Sequence, residues 1–373
     1  MSDMLECKLG DVIKFGNGKA RPSSEGATPI YGGNGILGYS ADANYVGETI
    51  VIGRVGAYCG ATYYEDQPIW VSDNALAAKP KDRNSAKYLF YFLKNLDLNQ
   101  HAQGSSHPLV TQTLLNSIDV EIVENPDEQK SIAAVLSSVD DKIDLLHRQN
   151  QTLEAMVATL FRQWFVEEAQ EDWEEVPFEE FFDFMEGPGI RNWQYTESGT
   201  PFINIRLISN GDIDISKASF VSDEEANGKY SHFHLKEGDM IVSTSGTLGK
   251  NAIVRNYHLP LILNTSVIRF RPRDGRSHSF VYQYLNSKLF QEHLESAASG
   301  SVQANFGPTH LKQMTLNKPP QNILDRYLQQ ADPLYDKLRL NQAQIKNLEK
   351  LRDTLLPRLM SGEVRVALDQ EAA

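Results

Sequence analysis

Residues 126–166 read PDEQKSIAAVLSSVDDKIDLLHRQNQTLEAMVATLFRQWFV, and this segment is the most regular in the chain. Its apolar side chains recur at alternating steps of four and three residues, which places them on one face of a helix and is typical of a coiled-coil seam. The seam consists of Ile132, Leu136, Val139, Ile143, Leu146, Leu153, Val157, Leu160 and Trp164. Asn150 takes one seam position, where a buried amide costs stability but fixes the register. We therefore predict a long helix that packs against another helix.

The start of this helix contains two carboxylates close to a lysine, a combination that also resembles part of a nuclease site. Asn125 is suited to cap the helix, and Pro126 is suited to its first position. Asp127 and Glu128 favour the positive end of a helix. Because these carboxylates and Lys130 share one turn instead of lying on separate strands, we interpret the group as a capped helix start without a catalytic role.

A second helix is predicted from about Asn322 to Met360. Its seam consists of Leu324, Leu328, Ala331, Tyr335, Leu338, Ile345, Leu348, Leu355 and Leu359. The phase of the seam slips near Gln342. Proline lacks the amide hydrogen that an interior helical position needs, so Pro333 predicts a kink or a break. Pro357 likewise indicates that the helix ends or turns sharply near that residue.

Two helices of about 35 residues, each about 50 Å long, with apolar seams in one chain are expected to pack together. An antiparallel pairing would relate the two halves of the chain by a pseudo-twofold axis and place a globular head at each end. The predicted core of the pair is Ile132, Leu136, Val139, Ile143, Leu146, Asn150, Leu153, Leu338, Ile345, Leu348 and Leu355. The alternative is that each helix packs onto its own head, which the regular heptad spacing disfavours.

The chain also repeats itself, with a period near 195 residues. The stretch that begins at Gly104-Ser105-Ser106 and runs through Leu115, Ile118 and Val120 corresponds to the stretch that begins at Gly300-Ser301-Val302 and runs through Leu311, Met314 and Leu316. Ile50–Gly53 likewise corresponds to Met240–Ser243, and Leu9–Ile13 to Phe178–Phe182. The offsets differ between these blocks, and the period is far too long for a solenoid. We interpret the chain as two diverged copies of one module, each a globular head followed by a long helix.

Each head is predicted to be a β-rich α+β domain, because short apolar runs alternate with Gly, Asn, Pro and Ser clusters. Matching short helices are expected at Tyr88–Leu93 and Phe280–Phe290. The predicted segments are a first recognition domain at 1–125, a first helix at 126–170, a second recognition domain at 171–320, a second helix at 321–362 and a tail at 363–373.

The loops of both heads carry residue types that suit nucleic acid. Arginine can bind guanine through two hydrogen bonds, Asn and Gln can bind adenine, and Ser, Thr and backbone amides suit phosphate oxygens. In the first head, the candidate contacts are Lys19, Arg21, Asn34, Arg54, Ser105, Ser106 and His107. In the second head, they are Arg191, Asn192, Asn204, Arg206, Thr244, Ser245, Thr247, Lys250, Gln303 and Asn305. The turns after Gly53 and after Ser243 occupy matching positions, which strengthens the prediction for both.

The composition bounds the class of protein. The net charge of −13 is unusual for a DNA-binding chain, because phosphate contacts supply much of the affinity. It predicts that the chain alone binds DNA weakly, unless its basic residues cluster or partner subunits add contacts. There is no long apolar run or signal peptide, so we expect a cytoplasmic protein with no membrane segment. Cys7 and Cys59 fit no metal spacing and are expected to be reduced.

No catalytic or cofactor motif stands out. Gly246-Thr247-Leu248-Gly249-Lys250 has two residues between its glycines, where a P-loop has four, and Asn251 follows the lysine. The histidines lack the Cys or carboxylate neighbours that a metal site needs. We therefore expect no catalytic residue, no metal site and no cofactor in this chain.

Several short segments resemble type I restriction–modification specificity subunits. Leu160-Phe161-Arg162-Gln163-Trp164-Phe165-Val166 resembles the family's ending of its first helix, and Leu355-Leu356-Pro357-Arg358-Leu359-Met360-Ser361-Gly362-Glu363-Val364-Arg365-Val366 resembles the ending of its second. Glu128-Gln129-Lys130-Ser131-Ile132 resembles the family's helix start. The resemblance covers nearly the whole chain, and Pro333 departs from the family's expected straight second helix.

The resemblance implies a non-catalytic subunit that binds double-stranded DNA. Each head would bind one half of a split target, and the helix pair would set the distance between the halves. Two modification subunits would dock on the helices and methylate adenines, presenting each base by flipping it. Restriction subunits with motor and nuclease activity would join them. S-adenosylmethionine, ATP and Mg²⁺ would belong to these partners, which agrees with the fact that Asn317-Lys318-Pro319-Pro320-Gln321 does not form an amino-methyltransferase motif.

Two other functions stay open from the sequence. One is an enzyme with a diffuse site, such as a nuclease or a methyltransferase, although no carboxylate or cofactor constellation supports it. The other is a coiled-coil scaffold with two peptide-binding heads, which the acidic charge favours slightly. Methylation by the isolated chain would identify the first, and DNA affinity with and without modification subunits would separate the second from a DNA reader.

Overall fold

The computed structural model describes residues 3–104, 108–209, 211–245, 249–273, 278–298 and 306–366. The chain divides into two compact units. Unit 1 comprises Met1–His147 with Ala343–Ala373, and unit 2 comprises Arg148–Gln342. Each unit therefore contains one head and part of both long helices, so the units cut across the segments expected from the sequence.

The first head and the helix that follows it belong to the α+β class. Their elements are β1 Met4–Lys8, α1 Leu9–Val12, β2 Ile13–Asn17, β3 Thr28–Gly32, β4 Gly35–Ser40, β5 Thr49–Gly53, β6 Thr62–Glu65, β7 Trp70–Val71, β8 Ala75–Pro80, α2 Ala86–Asn95, α3 Gln112–Ser117, β9 Asp119–Val123 and α4 Pro126–Arg162. An antiparallel sheet has the order β2-β8-β5-β6, a smaller sheet has the order β4-β3-β7, and β1 pairs with β9.

Strand β5 shows why this sequence forms a two-sided sheet. Its side chains alternate between the two faces, as they do in any strand. Ile50 and Ile52 belong to the core that includes α2, whereas Val51 belongs to a smaller core shared with β3 and β7. All three are fully buried, so the continuous apolar run reflects burial on both faces.

Unit 2 contains the second head and most of its following helix. Its elements are β10 Glu175–Pro177, β11 Phe182–Glu186, β12 Thr200–Phe202, β13 Ile208–Ser209, β14 Asp212–Ile213, β15 Ser219–Val221, α5 Asp223–Asn227, β16 Met240–Ser243, β17 Asn251–Ile253, β18 Val267–Pro272, α6 His278–Asn286, α7 Lys288–Ala298, α8 Pro308–Leu311, β19 Thr315–Asn317 and α9 Gln321–Met360, which continues into unit 1. The main sheet has the order β11-β18-β16-β17, and β10 pairs with β19.

The two heads have the same sheet plan, which confirms the predicted duplication. Strands β2, β8, β5 and β6 of the first head correspond in order and in antiparallel direction to β11, β18, β16 and β17 of the second. The terminal pair β1-β9 corresponds to β10-β19. Strand β16 also repeats the two-sided burial of β5, since Met240 and Val242 lie in one core and Ile241 lies in another.

One helix of the second head is shorter than predicted. The expected helix at Phe280–Phe290 is two helices, α6 and α7, interrupted at Ser287. The Ser287 hydroxyl accepts a hydrogen bond from the amide of Phe290 and donates one to the carbonyl of Tyr284. Ser287 thus ends α6 and caps the start of α7, because its short polar side chain competes with the backbone hydrogen bonds of a helix.

The long helices pack against each other in unit 1. Ile143 and Leu146 of α4 form a buried cluster with Ile345 of α9, and Val139 and Leu348 pack against it. One turn away, Arg352 donates from Nη1 to Asp140 Oδ1 at 3.0 Å. Positions that rise along α4 therefore meet positions that fall along α9, which is the predicted antiparallel pairing.

The same antiparallel pairing holds within unit 2. Asn150 of α4 contacts Asn341 of α9, and the ring of Phe161 lies 6.3 Å from that of Tyr327. Near the C-terminal end of α4, the buried positions are shifted by one residue from the predicted seam. Phe161 and Phe165 are buried where Leu160 and Trp164 were expected. Both rings pack against Phe280 of the second head as well as against Tyr327 of α9, and a π-helical turn at Gln163–Glu167 follows the end of α4.

The second helix does not break at Pro333, and it ends at Met360, three residues after Pro357, close to the predicted end. α9 runs without interruption across Pro333 and Pro357. Pro333 is exposed, and its missing amide leaves the carbonyl of Gln329 on a side of the helix that borders an open groove. Water can bind that carbonyl, while buried Ala331 and Tyr335 on the opposite face hold the helix to its core.

Candidate nucleic-acid interface

Several predicted contacts of the first head lie at one end of its main sheet. Strand β2 ends there at Asn17 and β5 at Gly53, while β8 begins there at Ala75 and β6 at Thr62. We call this end, with the turn at Gly33–Asn34 and the loops next to these strand ends, the loop edge of the first head. Loops that a rigid sheet holds in place are common sites of recognition.

Backbone hydrogen bonds hold the loops of this edge together. The amide of Arg54 donates to the carbonyl of Asn74 at 3.0 Å, and the amide of Val110 donates to the carbonyl of Arg54 at 3.0 Å. The amide of Gly56 donates to the carbonyl of Pro108 at 3.2 Å. The Arg54–Gly56 turn therefore lies beside residues 108–110, which directly follow the candidate contacts 105–107, although those three residues are outside the described part of the chain.

Gly53 permits the closest of these approaches. A Cβ atom at this position would lie 2.3 Å from the carbonyl oxygen of Tyr58 and 2.8 Å from that of Gly33. Both neighbours are backbone atoms, which cannot move aside as a flexible side chain does. Glycine thus brings the Gly33–Asn34 turn against the loop that carries Arg54.

Arg54 is the only half-buried basic candidate of the first head among its described residues. Its side chain is half-buried, and its Nε is buried without a hydrogen-bond partner among the described residues. Leaving a buried guanidinium N–H without an acceptor costs free energy. The guanidinium of Arg54 therefore has at least one N–H group available to donate a hydrogen bond to a ligand.

The other described candidates of the first head, Lys19, Arg21 and Asn34, are exposed. Lys19 follows β2, and its amide donates to the carbonyl of Val71 at 3.0 Å. Arg21 reaches over the β3–β4 hairpin and donates from Nη2 to the carbonyl of Leu37 at 3.1 Å. Asn34 lies in the turn of that hairpin. The structure thus brings Lys19, Asn34 and Arg54 to one edge, while Arg21 lies along the hairpin.

The second head has a loop edge with the same backbone pattern. The amide of Thr244 donates to the carbonyl of Ser266, and its carbonyl accepts from the amide of Phe306 at 3.2 Å. Thr244 therefore occupies the position of Arg54. The amide of Ser243 donates to the carbonyl of Lys250, as Gly53 donates to Ala61. We call the strand ends at Glu186, Ser243, Asn251 and Val267, with their adjoining loops, the loop edge of the second head.

The side chain of Thr244 does not lie on the surface of that edge. It is 1% exposed, whereas its neighbours Ser245 and Lys250 are half-buried. The matching position in the first head carries the long side chain of Arg54, so the equivalence that sequence comparison identified holds for the backbone and not for the chemistry of the side chain.

Arg191 and Asn192 lie on a short turn that is tied to the same edge. The amide of Ile190 donates to Asn264 Oδ1 at 3.2 Å, and the amide of Thr265 donates to the carbonyl of Pro188 at 3.0 Å. Arg191 and Asn192 are both exposed. The turn follows β11 as Lys19 follows β2, which places basic residues at corresponding ends of the two sheets.

Asn204 and Arg206 belong to a different local structure. Asn204 Oδ1 accepts from the amide of Arg206 at 2.9 Å and so caps a short helical turn, Ile205–Leu207. The amide of Ile203 is bonded to the carbonyl of Ile262 instead of to the edge loops. Arg206 is exposed, but no described contact joins this turn to the loop edge.

The remaining candidates lie outside the described residues. They are Ser105, Ser106, His107, Thr247, Gln303 and Asn305. Their predicted contacts with DNA stay predictions, as do those of the other candidates.

Ion pairs within the second head neutralise some of its basic side chains. Arg271 donates from Nε and Nη2 to the two oxygens of buried Asp239, at 2.6 and 2.8 Å. Arg269, also buried, pairs with Asp183 on the neighbouring strand. These arginines therefore stabilise the sheet. At the loop edge itself, burial raises the pKa of Glu186 above its ordinary value, which reduces the cost of protonating that carboxyl.

Sequence reasoning missed Asn74 and Trp193. Asn74 lies on the first loop edge only because β8 pairs with β5, a long-range relation that no local pattern reveals. Trp193 directly follows the predicted contacts Arg191 and Asn192 and is 80% exposed. Its position between polar residues was the available signal.

The described residues contain no group of three or more His, Cys, Asp or Glu side chains arranged to hold a metal ion. Within the same part of the chain, no helix combines the length and the apolar character needed to cross a membrane.

The family model and the similar proteins all indicate the same family. The model of the type I restriction modification DNA specificity domain matches residues 1–155 and 170–350. The MjaIX specificity subunit of a type I restriction enzyme of Methanocaldococcus jannaschii is 27% identical over 317 residues, which cover 77% of this chain and 71% of that protein. The MjaVIII specificity subunit of the same organism is 26% identical over 303 residues, or 75% of this chain and 70% of that protein.

A solved structure supports the fold. The S subunit of a type I restriction–modification system from M. genitalium superposes with a TM-score of 0.63 and covers 96% of each chain, at 18% sequence identity.

Proposed function

The chain belongs to the type I restriction–modification DNA specificity family, and on that premise we propose that it binds a two-part DNA target through the loop edges of its two heads. The first loop edge recognises one half of the target, and the second recognises the other half. The bases between the halves are not recognised. The chain itself acts without catalysis, in the cytoplasm.

The repeated loop edge is the observation that carries this proposal. Arg54 and Thr244 share the same two backbone hydrogen bonds, one to the loop before the next paired strand and one to the segment before the terminal strand. A duplicated fold that keeps its loop scaffold but presents different side chains on it, half-buried Arg54 in one head and half-buried Ser245 beside buried Thr244 in the other, suits two recognition sites with different base preferences. Base specificity comes from side chains that reach base edges, whereas a shared scaffold positions them.

The two long helices provide the docking surface for the catalytic partners. Two modification subunits bind there and methylate adenines, and restriction subunits join the assembly. An apolar groove of about 640 Å³ between the helices in unit 2 supports this role, and its lining consists of Thr152, Ala155, Met156, Thr159, Leu160, Gln330 and Leu334. Apolar surface of this kind, bordered by polar residues, is typical of protein interfaces.

S-adenosylmethionine, ATP and Mg²⁺ act in these partner subunits. The acidic charge of −13 is compatible with DNA binding because the partners supply most of the phosphate contacts. A scaffold with peptide-binding heads would show no preference for a DNA sequence in the same assembly. An enzyme with its own site would transfer methyl groups without partners.

A pair of matched variants tests the assignment of the two edges. Arg54→Ala is expected to weaken binding to the intact target by about 1–3 kcal/mol, because a bidentate contact to a base edge is worth that much. Arg191→Ala is the control in the second head. Affinity of the assembly with modification subunits is measured on duplexes in which one half-site at a time is scrambled.

The expected result is selective. Arg54→Ala loses discrimination at the first half-site only, and Arg191→Ala loses it at the second only. Equal losses at both half-sites from each variant, or no loss from either, would contradict the assignment. Thermal unfolding of each variant confirms that its head is folded.

A further inference from the structure

The largest exposed aromatic side chain of the second head lies beside its loop edge. Trp193 is 80% exposed, and none of the described side chains stacks on its ring or bonds to its indole nitrogen. A single exposed apolar side chain is common on protein surfaces and carries no meaning by itself. The construction of the turn that presents Trp193 is what distinguishes it.

That turn is built around the buried side chain of Gln194. The amide of Arg191 donates to Gln194 Oε1 at 3.0 Å. Gln194 Nε2 donates to Glu225 Oε1 at 2.9 Å and to the hydroxyl of Tyr230 at 2.8 Å. Gln194 is only 6% exposed, so its amide group joins the turn to two other parts of the head. Such a network fixes the backbone on both sides of Trp193 before any ligand binds.

The residues that flank the turn are also anchored. On one side, Ile190 is buried and its amide is bonded to Asn264. On the other side, the ring of Tyr195 packs on that of Phe202 at 5.0 Å between centroids. An indole on a fixed turn loses little conformational entropy when it binds, and this preorganisation raises affinity.

The turn is part of the second loop edge. Asn264 and Thr265 hold it, and the next residue, Ser266, accepts the amide of Thr244 through its carbonyl. One short segment therefore supports both the Trp193 turn and the loop that carries Ser245. Exposed Arg191 and Asn192 precede the tryptophan and supply the charge and hydrogen-bonding groups that nucleic acid attracts.

We propose that Trp193 is a DNA-contacting residue of the second head, whose indole packs against an apolar surface of a base in the second half-site. The inference rests on the proposed function and names a residue that carries part of it. A duplex offers such a surface as the methyl group of thymine in the major groove, or as the face of a base at a step that an apolar side chain opens. In a chain with net charge −13, an apolar contact adds affinity that phosphate attraction does not supply.

The test compares three variants in the assembly with modification subunits. Trp193→Ala is expected to weaken binding to the intact target by roughly tenfold to hundredfold, as the loss of an aromatic–base contact does. Trp193→Phe is expected to retain part of the affinity, because it keeps a flat ring. Val46→Ala is the matched control, since Val46 is a 65% exposed apolar residue of the other head and is expected to leave binding unchanged.

Two modified duplexes identify the surface that Trp193 contacts. If the contact is a thymine methyl, replacing thymine by uracil in the second half-site lowers the affinity of the wild type and not that of Trp193→Ala. If the indole opens a base step, the fluorescence of 2-aminopurine at that step changes when the wild type binds and stays unchanged when Trp193→Ala binds. Either result supports the proposal.

Two other results are decisive in the opposite direction. Trp193→Ala that melts like the wild type and binds the target with unchanged affinity overturns the role of Trp193, while the proposed function stands. Wild-type protein that does not distinguish an intact from a scrambled second half-site instead overturns the proposed function. The two failures are therefore separate measurements.

Discussion

At the scale of single residues, Arg54 and Thr244 show how a shared backbone position carries different chemistry. Both residues donate and accept equivalent backbone hydrogen bonds at the ends of β5 and β16. The guanidinium of Arg54 is half-buried at its edge, whereas the hydroxyl group of Thr244 is beneath the surface. Sequence comparison identified the pair because the apolar runs before it match. It could not predict the burial, which depends on the strands that pair on either side.

Lys19 is predicted to contact a DNA phosphate, a group that is the same at every base pair and therefore does not distinguish DNA sequences. Lys19→Ala is expected to weaken binding to all DNA sequences about equally and to reduce the slope of log affinity against log salt by about 1, because one phosphate contact releases about one counterion. Binding is measured across a salt series with the target and with an unrelated duplex. Lys14→Ala is the control with an equal change of charge, since Lys14 is exposed and lies near the end of β2 opposite to the loop edge.

A salt slope that Lys19→Ala leaves unchanged would show that this side chain does not contact phosphate. A loss confined to the target sequence would assign Lys19 to a base edge instead.

At the scale of elements, the two long helices were the most predictable part of the fold. Their apolar seams follow from spacing alone, and Ile132, Leu136, Leu146 and Leu338 are almost fully buried as expected. The seam moves by one residue near the end of α9, where Leu356 is buried and Leu355 is only partly buried. Leu356 lies in one cluster with Ile132 and Leu136 of α4 and with the core of the first head, so the head as well as the partner helix decides which positions are buried there, and the heptad pattern does not contain the head.

The buried position of Asn341 in the interface of the two helices was not predicted from the sequence. Asn341 is fully buried and donates from Nδ2 to Asn150 Oδ1 at 3.0 Å. The predicted phase slip at Gln342 lies one residue away, because the buried seam of α9 takes two successive steps of three residues, from Tyr335 to Leu338 and from Leu338 to Asn341. A polar pair at one level of a helix interface disfavours other registers, in which each amide would face apolar side chains.

A double-mutant cycle tests this pair. Asn150→Leu or Asn341→Leu alone is expected to destabilise the protein by about 1–3 kcal/mol, because each leaves the other amide buried without its partner. The double variant is expected to be close to the wild type or more stable, since two leucines can pack at that level. Thermal unfolding followed by circular dichroism measures the three variants.

The cycle also has a clear negative outcome. If the effects of the two single changes simply add in the double variant, the amides do not interact and the register is set by the apolar seam alone.

At the scale of the whole molecule, duplication explains why one chain carries two sites. The sheet orders β2-β8-β5-β6 and β11-β18-β16-β17 are the same, and each head leads into one long helix. The repeat was visible in the sequence as matching apolar blocks with unequal offsets. The largest change of offset falls between β2 and β5 of the first head and between β11 and β16 of the second, where the first head has β3 and β4 and the second has β12 to β15 and α5.

The acidic charge of −13 belongs to the same scale, because it limits what the chain does alone. Phosphate attraction scales with the number of basic contacts, so most of the affinity for DNA is expected to come from the assembled complex. The sequence indicated this dependence on partners through its composition. The bases of the target depend on individual loop contacts, which composition does not specify.

The most direct test of two independent heads is an exchange of residues 1–125 for the corresponding head of another specificity subunit, followed by genome-wide mapping of methylated adenines in cells that also carry the modification subunits. We predict a two-part target in which the half-site assigned to the first head changes while the other half-site and the spacing between them stay the same. An unchanged target, or a target in which both halves change, would contradict this prediction.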